Sequence, residues 1–71
     1  MKIIVFPSVQ HVLMGESALK IFNLEFEIIP LANYIHQGCG LGIRVQDQLL
    51  QSALECFTSK NIIYDKVIDC R

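Results

Sequence analysis

The chain has 71 residues, short of the roughly 100–200 of an average domain, so residues 1–71 read as a single domain with a thin core. Six Lys plus Arg against seven Asp plus Glu leave a formal charge of -1, which excludes the basic footprint of a nucleic-acid binder or of a protein held on an anionic membrane. With 52% hydrophobic and 18% charged residues the chain is also too apolar to be disordered. A domain this size buries only about 60% of the surface its unfolded chain exposes. The apolar content offsets that, and a partner surface, a homodimer included, would add to it. The apolar run near the start, Ile3 to Phe6, is far short of the ~20 residues that cross a bilayer. Pro7, Gln10 and His11 interrupt it too early for a secretory signal. Cys39, Cys56 and Cys70 are odd in number and unpaired by any C-x-x-C spacing, which suits a reducing compartment; a cytoplasmic location is expected.

Lys2 to Phe6 is β-branched and almost continuously apolar, as a central strand is, and Pro7 ends it; this is β1. Ser8 can cap a helix, α1, over about Val9 to Phe22, whose buried stripe at 3.6 residues per turn is Val12, Gly15, Ala18, Leu19 and Phe22. Alternation from Glu25 to Pro30 and from Leu41 to Val45 predicts β2 and β3. Asp47 is placed to cap α2, running to about Ser59 with Leu49, Leu50, Ala53, Leu54 and Phe57 on its apolar face. Ile62 to Asp69 closes the chain as β4. The order βαββαβ predicts an α+β, ferredoxin-like fold, with two helices on one face of a four-stranded antiparallel sheet and the other face left open. The β2–β3 connection, Leu31 to Gly40, exceeds an ordinary hairpin loop, and long loops tend to carry function.

That connection holds Gly38-Cys39-Gly40, a thiol between two residues that can take positive φ and let backbone N–H groups converge on an anion. Such a setting favours a thiolate. Arg44, pointing away from the helices near the start of β3, could add positive charge. The plainer alternatives are that the glycines only shape a loop, that Cys39 is incidental, and that Arg44 pairs across strands with Glu25 or Glu27.

These residues resemble a small bacterial family of selenium/sulfur carrier-like proteins over most of the chain. The resemblance rests on Gly38-Cys39-Gly40-Leu41-Gly42-Ile43-Arg44, and on Phe6-Pro7-Ser8 followed by Glu16 and Leu19-Lys20. It implies that Cys39 is a carrier thiol taking up sulfur or selenium as a persulfide or perselenide. The partners implied are a cysteine desulfurase or selenium donor and an acceptor protein. The sequence departs from the family at Ala32-Asn33, where a Pro-Arg pair is usual, and at His36, where a serine is usual. The missing arginine weakens an anion site formed by Gly38, Gly40 and Arg44. His36 can take over part of the role, accepting the thiol proton or, protonated, stabilising the thiolate; its plainer reading is a solvated loop histidine.

His36-x-x-Cys39 with His11, Cys56 or Cys70 has metal-ligand types but no second paired motif, so no metal and no cofactor is expected. Cys56, beside Ala53 and Phe57, reads as a buried inert thiol, and Cys70 as a terminal residue. His11 reads as a packed histidine at a helix start, and Glu16 as a solvated charge. Without a carboxylate pair, a nucleophile–base spacing or a phosphate loop, a carrier or accessory protein is expected rather than a self-sufficient enzyme. The competing function is a non-catalytic interaction or regulatory module using the open sheet face.

Overall fold

The computed structural model describes residues 1–31 and 40–69. In it β1 spans Lys2–Val5, α1 Val9–Ile21, β2 Glu27–Pro30, β3 Leu41–Val45, α2 Leu50–Ser59 and β4 Lys66–Asp69, with a 3-10 turn at Asp47–Leu49 ahead of α2. The strands form one antiparallel sheet in the order β2-β3-β1-β4. This is the ferredoxin-like arrangement, with β3 and β1 central.

Ser8 caps α1 as its sequence predicts: its backbone is extended and its Oγ accepts the His11 N–H at 3.3 Å. Val12, Gly15, Ala18 and Leu19 form the buried stripe, but Phe22 does not join it and is 47% exposed. The reason is the helix end. Asn23 takes φ 59 and turns the chain, so that Leu24, whose N–H donates to Leu19 O at 3.0 Å, packs on the core instead. The end of α2 repeats the device: Asn61 takes φ 58, Ile62 N–H donates to Phe57 O at 2.8 Å, and Ile62 is buried. Both are Schellman ends, with an αL residue followed by an apolar one that folds back on the helix. Ile62 therefore belongs to the helix end and not to β4, which begins only at Lys66.

Asp47 does not cap α2. The 3-10 turn intervenes, α2 starts behind Leu49 with no side-chain cap, and the Asp47 carboxylate pairs with the Met1 ammonium at 2.9 Å. Cys56 is buried with Ala53 and Phe57, while Leu50 and Leu54 are only partly buried.

The main core lies between helices and sheet, where Ile4, Phe6, Val12, Leu19, Ile43 and Phe57 are fully buried and the Phe6 and Phe57 rings meet edge-on at 5.5 Å. Each such side chain contributes on the order of 1.5–3 kcal/mol. The opposite sheet face was expected to stay open, and at its centre it does not. Ile3 and Val5 of β1 and Leu31, just past β2, form a second, fully buried cluster flanked by Ile29 and Ile68. Gly42 makes this arrangement fit, since a Cβ there would stand 2.8 Å from Ile3 Cγ2 and 2.9 Å from Leu31 Cδ2. The missing side chain lets Leu31 fold onto the sheet. An interaction module working through that face would meet buried aliphatic groups at its centre.

Candidate functional site

The β2–β3 connection springs from a closed base. Pairing between β2 and β3 runs out to Pro30 opposite Leu41, and beyond it the Leu31 N–H donates to Gly40 O at 2.9 Å. Of the residues singled out from the sequence, His36, Gly38, Cys39 and Cys70 lie outside the described residues, as do Ala32 and Asn33. Gly40 and Arg44 lie within them.

Gly40 has φ +79 and is exposed, and a Cβ there would meet nothing within 4 Å. Its glycine is thus required by backbone conformation alone, as the Gly-Cys-Gly reading supposed for this position. Arg44 is the fourth residue of β3, about 10 Å along the strand from Leu41 at 3.4 Å per residue. It stands directly across from Glu27, and its Nε and Nη2 both donate to Glu27 Oε1, the former at 3.2 Å. The cross-strand alternative is therefore realised, with Glu27 and not Glu25. Glu25, Glu27 and Arg44 also border a shallow groove of about 230 Å3, where two carboxylates oppose the binding of an anion.

The strand pairing places at the connection's end of the sheet a group that sequence reasoning had treated separately. Val5 lies opposite Gly42, so β1 runs out through Phe6-Pro7-Ser8 at the end where Gly40 leads into β3. There Ser8 Oγ and His11 Nδ1 are in hydrogen-bonding contact at 2.6 Å, partly buried. Lys66 stands at the same end, opposite Val5 on β4. The signal for this grouping was already implicit in the βαββαβ order, which forces β1 and β3 to be antiparallel neighbours.

Cys56 is 2% exposed, and burial pushes its thiol pKa up, partly opposed by the Lys60 charge. A buried, protonated thiol is a poor nucleophile, so Cys56 is inert. Among the described residues no three His, Cys, Asp or Glu side chains are grouped to hold a metal ion, and no helix is long and apolar enough to cross a membrane.

A ferredoxin-like sheet with an inert core cysteine, and a Gly-Cys-Gly segment leading into its third strand, defines a small thiol-bearing α+β domain. The chain belongs to the family described as "Putative Se/S carrier protein-like", which matches residues 2–69. No curated protein and no solved structure matches it.

Proposed function

We propose that this protein is a thiol carrier for sulfur or selenium, with Cys39 as the loaded residue. The observation that carries the reading is the family match over residues 2–69, which includes Gly38-Cys39-Gly40. The positive φ of Gly40 and the inertness of Cys56 support it, the first by giving the motif a conformational need for glycine and the second by removing a competing thiol. In the proposed step the Cys39 thiolate attacks the terminal sulfur of a donor's persulfide. The donor's S–S bond breaks, the donor cysteine leaves as thiolate, and Cys39 retains the sulfur as a persulfide anion. An acceptor thiolate then takes the sulfur by the same exchange in reverse. No net oxidation occurs in either transfer.

His36 is the proposed acid/base group that removes the Cys39 proton before loading. Gly38 and Gly40 are the proposed source of backbone N–H groups for the anionic cargo, and Arg44 adds charge to the extent that Glu27 yields it. The partners are a donor of the cysteine desulfurase class, or a selenium donor, and an acceptor protein. The place of action is the cytoplasm, where thiols persist.

The test is mass spectrometry of the intact protein after incubation with a cysteine desulfurase and cysteine. Wild type and Cys56→Ala should each gain the mass of one sulfur atom, lost on treatment with a reductant, and Cys39→Ser should gain none. Loading of Cys39→Ser to the wild-type extent, or no loading of wild type by sulfur or selenium donors, removes the carrier function.

A further inference from the structure

Leu31 is the first residue past β2, and it is as buried as any in the core, at 0% exposure. The β2–β3 register continues to it. Glu27 faces Arg44, Ile29 faces Gly42 and Pro30 faces Leu41, so Leu31 comes opposite Gly40, and its N–H donates to Gly40 O at 2.9 Å. Strand alternation puts the Leu31 side chain on the face that Ile29 shares, and there it leans back over Gly42 toward Ile3. Glycine in a strand interior weakens the strand and marks a close approach. Here the approaching group is the root of the β2–β3 connection, so β3 gives up strand propensity to seat it.

We infer that Leu31 is a positioning residue for the carrier thiol: seated over Gly42, it keeps the Leu31–Gly40 pair closed and thereby fixes the direction from which Cys39 joins Gly40. The inference rests on the carrier function proposed for Cys39.

Covalent geometry makes the consequence direct. Cys39 Cα is about 3.8 Å from Gly40 Cα, and the φ of Gly40, a rotation about its N–Cα bond, sets where the Cys39 carbonyl carbon lies. With the pair closed, that angle is held at +79. With the pair open, the next fixed residue is Leu41, Cys39 is about 7 Å of chain away from it, and the joint between them is a glycine, the residue with the widest choice of φ and ψ. Gly40 then becomes a swivel. Gly40 is exposed and a Cβ on it would meet nothing within 4 Å, so packing around Gly40 itself does not restrain it. Its restraint comes from the neighbouring strand, whose end Leu31 anchors. Pro30, with its φ fixed by the ring, stiffens the approach to Leu31.

The test compares Leu31→Ala, which empties the seat, Gly42→Ala, which fills the slot, and Leu31→Met, which keeps the bulk on an adaptable stem. Leu31→Val replaces Leu31→Ala if the latter does not fold, and Phe57→Leu, in the core on the other sheet face, is the control for lost stability. Sulfur loading of Cys39 by a cysteine desulfurase and cysteine is followed by mass spectrometry under conditions where circular dichroism shows each variant folded. Leu31→Ala and Gly42→Ala should slow loading at saturating donor on the order of tenfold, with Leu31→Met and Phe57→Leu within about twofold of wild type. The pH–rate profile of Cys39 alkylation, read by peptide mass spectrometry, needs no sulfur donor. Its midpoint should rise in Leu31→Ala and Gly42→Ala only, as the backbone N–H groups around the thiolate disperse. Where wild type takes up sulfur, loading rates in Leu31→Ala and Gly42→Ala equal to that of Phe57→Leu overturn the inference. Where wild type takes up none, the carrier function falls, and alkylation profiles that match that of Phe57→Leu overturn the positioning role separately.

Discussion

Gly40 and Gly42 stand two residues apart where the chain returns to the sheet, and they are glycines for different reasons. At Gly40 a side chain has ample room but the φ of +79 is wrong for an L residue, so Gly40→Ala should cost on the order of 1–2 kcal/mol through backbone strain alone. At Gly42 the added methyl would sit 2.8–2.9 Å from Ile3 and Leu31 and 3.3 Å from the Ile4 carbonyl oxygen. Gly42→Ala should cost about 1–3 kcal/mol by overpacking. Urea midpoints measure both, and an unchanged midpoint for Gly40→Ala would mean that the positive φ is not needed. Cys56 makes a pH prediction. Its folded pKa lies above the unfolded value because burial disfavours the thiolate. The folded state keeps its proton where the unfolded chain has ionised, so the contribution is complete below the unfolded pKa of about 8.5 and is lost as pH rises through the folded value. Stability should fall from about pH 8.5 upward, and Cys56→Ala should flatten that limb of a urea-midpoint profile. Lys2, whose pKa is raised by its hydrogen bond to Asp69, acts in the same direction only above its ordinary range near 10.5, and this separates the two.

At the scale of elements, the helix ends decide where the core residues fall. Ser8 gives α1 a start that the sequence announces, and Ser8→Ala should lower stability by about 1 kcal/mol. Asn61 gives α2 an end that is easily overlooked, because asparagine is a weaker αL signal than glycine. Asn61→Ala should cost about 1 kcal/mol, whereas Asn61→Gly should cost nothing or stabilise, since only the αL conformation is required. Equal losses in both variants, by thermal or urea unfolding, would mean that the Asn61 side chain and not its backbone matters. The 3-10 turn before α2 had no counterpart in the periodicity, since Asp47 offers a capping side chain whichever way it is used.

Across the whole molecule, Glu27 opposes the positive charge that Arg44 would lend to the proposed anion site. An ion pair carries little net charge to its surroundings, so Arg44→Gln alone should change Cys39 alkylation at pH 7 by less than about twofold. Glu27→Gln removes the carboxylate paired with Arg44 and should speed the reaction through a lower thiol pKa, with no change at high pH where the thiol is ionised in either protein. Iodoacetamide rates against pH in the three proteins decide it. Identical profiles would leave Arg44 a purely structural partner of Glu27 and rest the proposed carrier function on Cys39, His36 and the loop backbone.

The order of elements, the Ser8 cap, the inner stripe of α1, the inert Cys56 and the family membership were all legible in the sequence. Each depends on residues close together in the chain or on a contiguous motif, and local sterics and periodicity act over just that range. The destination of Phe22, the 3-10 turn at Asp47, the late start of β4 and the choice of Glu27 for Arg44 were not. Those depend on which residues the fold brings opposite one another. Leu31 is the clearest case. Nothing local says that a leucine opening a long connection is core, because its burial comes from a slot left by Gly42 on the neighbouring strand and a wall supplied by Ile3 two strands away. Only the tertiary structure brings those three together, and with them it closes the centre of a sheet face that the βαββαβ pattern alone leaves open.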